Sequence, residues 1–245
     1  MPADVRAVWR SPRFDRVGAA AYDFFVERER LARVGGLLMW GADTRLLYRS
    51  LDAIGAMPDG SAILDVPCGG GLAFRALRPD QRVRYVAADI SPGMLRRARR
   101  VADERGLGQI ELMEADVEKL PFEDASFDLC VCFNSLHCFP DPARGLEEIA
   151  RCLRPGGRLI GDAAVRGRGA RYDFVIEQYA RRGIFGPGGS AADLERWLAD
   201  AGLEQIRLTL SGAVAYFDAA APRLGRTSLS TAYRGSPGRS AVGRR

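Results

Sequence analysis

"ILDVPCGGGLAF", residues 63–74, decides how this chain is read. An apolar run stops at an acid, Asp65, and then breaks into Pro67, Gly69, Gly70 and Gly71. Glycine this dense costs conformational entropy on folding. It is kept where backbone must approach something closely or turn with positive φ. A buried strand that ends on a carboxylate and opens into glycine therefore predicts a binding turn at its carboxyl end.

Outward from that stretch, strand and helix patterns alternate. "SAILDVP" reads as a buried strand and "GLAFRAL" opens a helix. "VRYVAADIS" is a second strand, and "SPGMLRRARRVADERG" a helix with Ser91 as N-cap and Pro92 at its first position. "IELMEAD" and "FDLCVCFNS" are strands three and four. "PARGLEEIARCLRPGG" is a helix ended by Pro155, and "RLIGDAA" a fifth strand. "SAADLERWLADAGL" is a helix capped by Ser190, with Asp193 three residues on. "QIRLTLSG" and "AVAYFDA" are two closing strands. Such alternation predicts an α/β fold, a doubly wound and mostly parallel sheet. Residues 20–57 read as two or three helices, from apolar positions such as Tyr22, Phe25, Leu31 and Val34 at mixed three- and four-residue spacing. The expected organisation is a helical N-terminal lid over 1–57, a ligand-binding domain over 58–220 and a tail over 221–245. The tail is rich in Gly, Ser, Pro and Arg and is expected to be disordered.

With 245 residues, 47% hydrophobic and 27% charged, the composition is that of a globular protein with a full core. The formal charge of +5 is a tail property. Six of the 36 basic residues follow the last acid, Asp218, which leaves 30 basic groups against 31 acids before it. A nearly neutral folded part argues against a nucleic-acid-binding core. The five cysteines form no CxxC and no metal-ligand spacing, and their odd count suits a reducing cytoplasm. Cys130 and Cys132 alternate on one face of a strand and are expected to be buried thiols. "MPADVRAVWRSPRFD" has no signal-peptide core, and no run of about 18 apolar residues is present to span a membrane.

In a doubly wound sheet, ligands bind outside the carboxyl ends of the strands. The residues there are Asp65 to Gly71, then Asp89-Ile90-Ser91, then Asp116-Val117, then Phe133-Asn134-Ser135. Carboxylates in three of four groups would repel a phosphate. They are acceptors for the hydroxyls and amines of a nucleoside or cationic ligand.

On these residues the chain resembles the class I S-adenosylmethionine (SAM) dependent methyltransferases, of the small-molecule type that includes ubiquinone and menaquinone methyltransferases. "LDVPCGGG" resembles that family's first motif and "VAADISPGML" its second. "EADVEKLPFEDASFDLCVCFNSLHCFPDP" resembles the third and fourth, and "EEIARCLRPGGRLI" the helix, P-G-G turn and fifth strand that follow. The resemblance implies a Rossmann-like seven-stranded sheet, mostly parallel with an antiparallel last strand, SAM as cofactor and S-adenosylhomocysteine as product. It also implies roles. Gly69 and Gly71 let backbone pass close to the methionine part, and Asp65 meets its amino group. Asp89 accepts both ribose hydroxyls, and Ile90 packs on the adenine. Asp116 accepts from the adenine amine beside the Val117 N–H, while Phe133 and Asn134 wall the methionine end. Pro67 departs from the family by replacing the first glycine of the loop, which removes an N–H and holds φ near about −65°.

Two candidate catalytic residues carry open readings. His137, the only histidine, follows strand four, and an unperturbed pKa near about 6.5 would suit a general base. The reading in which it caps the loop or touches the cofactor is preferred. Tyr22 precedes Asp23, as in relatives whose tyrosine closes over the cofactor, and could equally be a helical core aromatic. The expected reaction is in-line methyl transfer to O, C or N of a small molecule, with no metal required. A dinucleotide dehydrogenase fits poorly, because counting its fingerprint from Gly69 puts bulky Phe74 where a small residue is needed. Two other classes stay open: a fold relative that binds SAM but catalyses a cyclisation, and a non-catalytic binding module. No N/D-P-P-Y type motif follows strand four, which speaks against methylation of nucleic-acid amines.

Overall fold

The computed structural model describes residues 4–11 and 29–223, with backbone alone at 29–33. Tyr22 and residues 224–245 of the expected tail lie outside the described residues. The strands are β1 (Ala62–Asp65), β2 (Arg84–Asp89), β3 (Ile110–Glu114), β4 (Phe127–Cys132), β5 (Leu153–Ala164), β6 (Glu204–Ser211) and β7 (Val214–Ala220). They form one seven-stranded sheet in the order β3-β2-β1-β4-β5-β7-β6. The pairs from β3 through β5 are parallel, and β7 runs antiparallel to both β5 and β6. This is the sheet the alternation and the resemblance imply.

The helices among the described residues are α1 (Val5–Trp9), α2 (Glu29–Trp40), α3 (Arg45–Gly55), α4 (Pro92–Glu104), α5 (Pro142–Cys152), α6 (Ala170–Arg181) and α7 (Ala191–Asp200). Both faces of the sheet are covered, because side chains alternate along each strand. Ile63, Tyr85, Ala87, Leu129 and Val131 pack on one face with Leu47, Leu51 and Ile54 of α3 and Ala98 of α4. Leu64, Val86, Cys130 and Cys132 face the other way, onto Leu146 and Ile149 of α5 and Leu194 and Leu198 of α7. Residues 45–55 are thus part of the sheet's core. Cys130 and Cys132 are buried free thiols on one face, as alternation requires. Ser91 caps α4 by accepting from the Met94 N–H at 3.4 Å. Ser190 and Asp193 make a reciprocal capping box on α7. No described helix is long and apolar enough to cross a membrane.

Three details differ from the sequence reading. "GLAFRAL" forms only a short 3-10 helix, Leu72–Ala76. Gly71 enters it at φ 91° and Leu77 is already extended, ahead of Pro79, which disfavours helix at the residue before it. α5 ends at Cys152, before Pro155, because Leu153 is already extended and starts β5. The pairing register between β4 and β5 shifts between Phe127 and Leu129, so the P-G-G segment is an irregular strand entry. α6 was not anticipated. It has no side-chain cap, and Ile176 is its one buried residue, so its periodicity is faint.

Candidate cofactor and active site

Strand order reverses between β1 and β4, with β2 and β3 lying to one side and β5 to the other. A cleft opens at this switch point, as the topology requires. It encloses about 880 Å³ of non-atom space, part of it open to solvent. Asp65, Pro67, Gly69, Asp89, Ile90, Asp116, Val117, Phe133 and Asn134 all line it. Four strand ends, spread over 70 positions of sequence, meet in one place.

The glycine loop is held from both sides. The N–H of Val66 donates to the Val131 carbonyl at 3.0 Å, and that of Cys68 to the Ala88 carbonyl at 2.8 Å. Pro67 sits between them without a positive φ, so its missing N–H and fixed ring fit this turn. Gly69 has φ 52°, and a Cβ built on it meets nothing within 4 Å, because its open side is the cleft. Gly71 does not line the cleft, and its glycine has another cause. At φ 91°, a Cβ there would sit 2.6 Å from the Phe74 ring. The two positions should therefore respond differently. Gly71→Ala should lower the melting temperature, since strain and a ring clash come together. Gly69→Val should cost only the backbone strain of about 1–2 kcal/mol while filling the cleft, so the protein folds and loses ligand binding. Thermal melts and titration calorimetry of the two variants check this.

Asp89 knits the site together. Its Oδ2 accepts from the Gly69 N–H at 2.9 Å and its Oδ1 from the Ser91 N–H at 2.8 Å. Burial raises its pKa to about 6, against the lowering effect of those N–H donors. Asp65 accepts from the Tyr85 hydroxyl at 2.9 Å. Burial raises it to about 8, the Tyr85 bond lowers it, and the neighbouring Asp89 charge adds to the rise. Among the described residues, no positive charge acts on these two buried carboxyls. That donor set fits SAM, whose sulfonium and amino groups supply cations and whose ribose supplies donors.

At the next rim, Asp116 Oδ1 accepts from the Glu118 N–H at 3.0 Å and Oδ2 from Arg6 Nε at 2.8 Å. Beyond β4, Asn134 has φ 52° and donates its N–H to Asp162 Oδ1 at 2.7 Å. Asp162 is buried on β5, and burial raises its pKa to about 7. His137 does not line the cleft. Its Nδ1 accepts from the Ala164 N–H at 3.1 Å, its ring packs edge-on to Phe185 at 4.3 Å, and burial lowers its pKa to about 4. With Nδ1 accepting, the imidazole proton sits on Nε2.

Sequence reasoning missed Val5, Arg6 and Trp9 of α1, which line the cleft, and Asp162, which sets the Asn134 turn. "VRAVW" carries no motif, and its partners lie more than a hundred residues away.

The sheet order and the cleft at its switch point are the arrangement that the resemblance to class I, SAM-dependent methyltransferases implies. Residues 64–161 match the family model described as a methyltransferase domain. Among curated proteins, the demethylmenaquinone methyltransferase of Thermus thermophilus is 40% identical over 126 residues, covering 51% of this chain and 56% of that protein. The chain therefore spans little more than half the length of such relatives. Among solved structures, phosphoethanolamine N-methyltransferase 2 of Haemonchus contortus, in complex with S-adenosylhomocysteine, superposes with a TM-score of 0.71 at 17% identity, covering 90% of this chain and 61% of that one. The [4+2]-cyclase SpnF superposes with a TM-score of 0.67 at 18% identity, covering 91% and 98%. At such identities these two likenesses speak to fold alone.

Proposed function

We propose that this chain transfers a methyl group from SAM to O, C or N of a small molecule with an apolar or aromatic face. The observation that supports this best is the convergence of Asp65, Gly69, Asp89, Asp116 and Asn134 on one cleft at the switch point. In this reading Asp89 takes the ribose hydroxyls and Asp65 the amino group. Ile90 and Val117 enclose the adenine, Asp116 accepts from its amine, and Phe133 and Asn134 wall the methionine end. Bound SAM supplies an electrophilic methyl on its sulfonium. The protein supplies alignment and exclusion of water. Trp9, Phe133, Cys138, Phe139 and Pro140 give the cleft an apolar wall suited to that task. All five cysteines are free thiols, which suits a reducing compartment such as the cytoplasm.

His137 acts in this reading as a positioning group. A base on Nε2 would need a free lone pair where the proton already sits. His137→Ala orphans the Ala164 N–H and loses the Phe185 contact, so stability should fall by about 1–3 kcal/mol. SAM affinity should change less than about threefold and turnover less than about tenfold. A base would cost about 10²–10⁴ in rate, and a loss of that size would restore the catalytic role.

The second reading is a fold relative that binds SAM and catalyses a cyclisation, since the cofactor-facing carboxylates speak to binding and not to methyl transfer. Product mass separates the two. A gain of one methyl with release of S-adenosylhomocysteine supports transfer, and turnover without SAM consumption supports cyclisation. Demethylated quinols are the first acceptors to try, on the strength of the Thermus relative's name.

A further inference from the structure

α1 lies across the cleft and is tied at both rims. At the first rim, Arg6 reaches two acids at once: Nε meets Asp116 Oδ2 at 2.8 Å and Nη2 meets Glu118 Oε2. Both acids are themselves set by backbone donors. Asp116 accepts from the Glu118 N–H at 3.0 Å and Glu118 from the Asp141 N–H at 2.8 Å. At the second rim, Trp9 Nε1 donates to the Ile184 carbonyl at 2.9 Å. Ile184 belongs to the segment whose Gly186 N–H donates to the His137 carbonyl at 3.0 Å, beside the loop after β4. The first tie thus lies on the β3 side of the switch point and the second on the β4 side. Val5, Arg6 and Trp9 line the cleft between them.

We infer that α1 is a strap closing the cofactor cleft, and that the Arg6 clasp on Asp116 and Glu118 sets how fast cofactor and product exchange. The inference rests on the cofactor reading of the cleft. A clasp that must open for passage is met alike by a ligand entering and by a ligand leaving. Loosening the clasp then speeds entry and exit together and moves the dissociation constant little. A residue that merely touched the ligand would change exit alone. Arg6 keeps 34% of its side chain in solvent, Asp116 28% and Glu118 12%, so dissolved salt can screen the clasp.

The test is surface plasmon resonance on the immobilised full chain with S-adenosylhomocysteine as probe. Arg6→Met keeps the length of the side chain and removes its charge. Association and dissociation rates are each expected to rise about tenfold, on the scale of a partly buried double ion pair. Trp9→Phe, which removes the second tie and keeps an aromatic ring, should move both rates in the same direction. Raising salt to about 0.5 M, where the screening length is only a few ångström, should speed exchange in the unmodified protein and barely in Arg6→Met. Rates that stay at the unmodified values, or a rise in dissociation alone, would overturn the strap. Absence of binding in every form, the unmodified protein included, would overturn the cofactor reading and the strap with it.

Discussion

Asp89→Ala should weaken SAM binding by about 2–4 kcal/mol, a loss of roughly 30- to 1,000-fold. Two effects combine in that number. The ribose hydroxyls lose a charged acceptor that could serve both of them. The Gly69 N–H, held at 2.9 Å by the same carboxylate, loses its partner, so the loop meant to face the ligand is released. Asp89→Asn separates the two. An amide oxygen can still accept from Gly69, but the group carries no charge and one of its ends is a donor. Its loss should fall between those of the unmodified protein and the alanine variant. Titration calorimetry with SAM measures all three. Equal affinities would mean that the nucleoside does not sit over β2.

The second large effect is on pH. Asp65, raised to about 8 by burial, holds a proton through most of the neutral range in the ligand-free protein. A cationic amino group favours the ionised carboxylate and must displace that proton. SAM affinity should therefore fall by up to about tenfold for each pH unit below 8, and close to one proton should be released on binding at pH 7. Calorimetry in buffers of different ionisation heat counts that proton. The ligand's own amino group titrates alike with any form of the protein, so the difference from Asp65→Asn isolates the Asp65 contribution. That variant should bind weakly and release no such proton. Stability gives the opposite sign. The folded state binds this proton more tightly than the unfolded chain, whose carboxyl sits near the ordinary 3.8. The contribution is full below about 3.8 and is lost as pH rises through about 8. Ligand-free Asp65→Asn should consequently melt above the unmodified protein at pH 8.5 and lose that advantage at pH 5. An identical pH profile in both would remove Asp65 from the site.

How much of this was legible beforehand depends on the range of each interaction. Asp65, Asp89, Asp116 and Asn134 each end a strand with a local signature, an apolar run broken by an acid or by turn residues. Topology then carries all such ends to one side of a parallel sheet. Their convergence could be read without coordinates. Gly69 and Gly71 looked alike in sequence and differ in cause, because one faces the cleft and the other faces the Phe74 ring. The single histidine could be read as a base or as a support for its loop, because its partners are not visible in the sequence. The Ala164 N–H and the Phe185 ring arrive from β5 and from the segment after α6, about 27 and 48 positions on.

The reversed last strand was implied by the family resemblance; sequence by itself determined the alternation of strands and helices, the doubly wound sheet and the row of carboxylates at the strand ends. Those follow from periodicity, caps and turn residues, which act over a few positions. Tertiary structure alone decided that Asp65 is buried deeply enough to hold a proton at neutral pH, that Asp162 holds the Asn134 turn, and that α1 spans the cleft with Arg6 on Asp116. Burial and ion pairing depend on which distant segments share a surface. "VRAVW" carries no local trace of a partner 110 positions away.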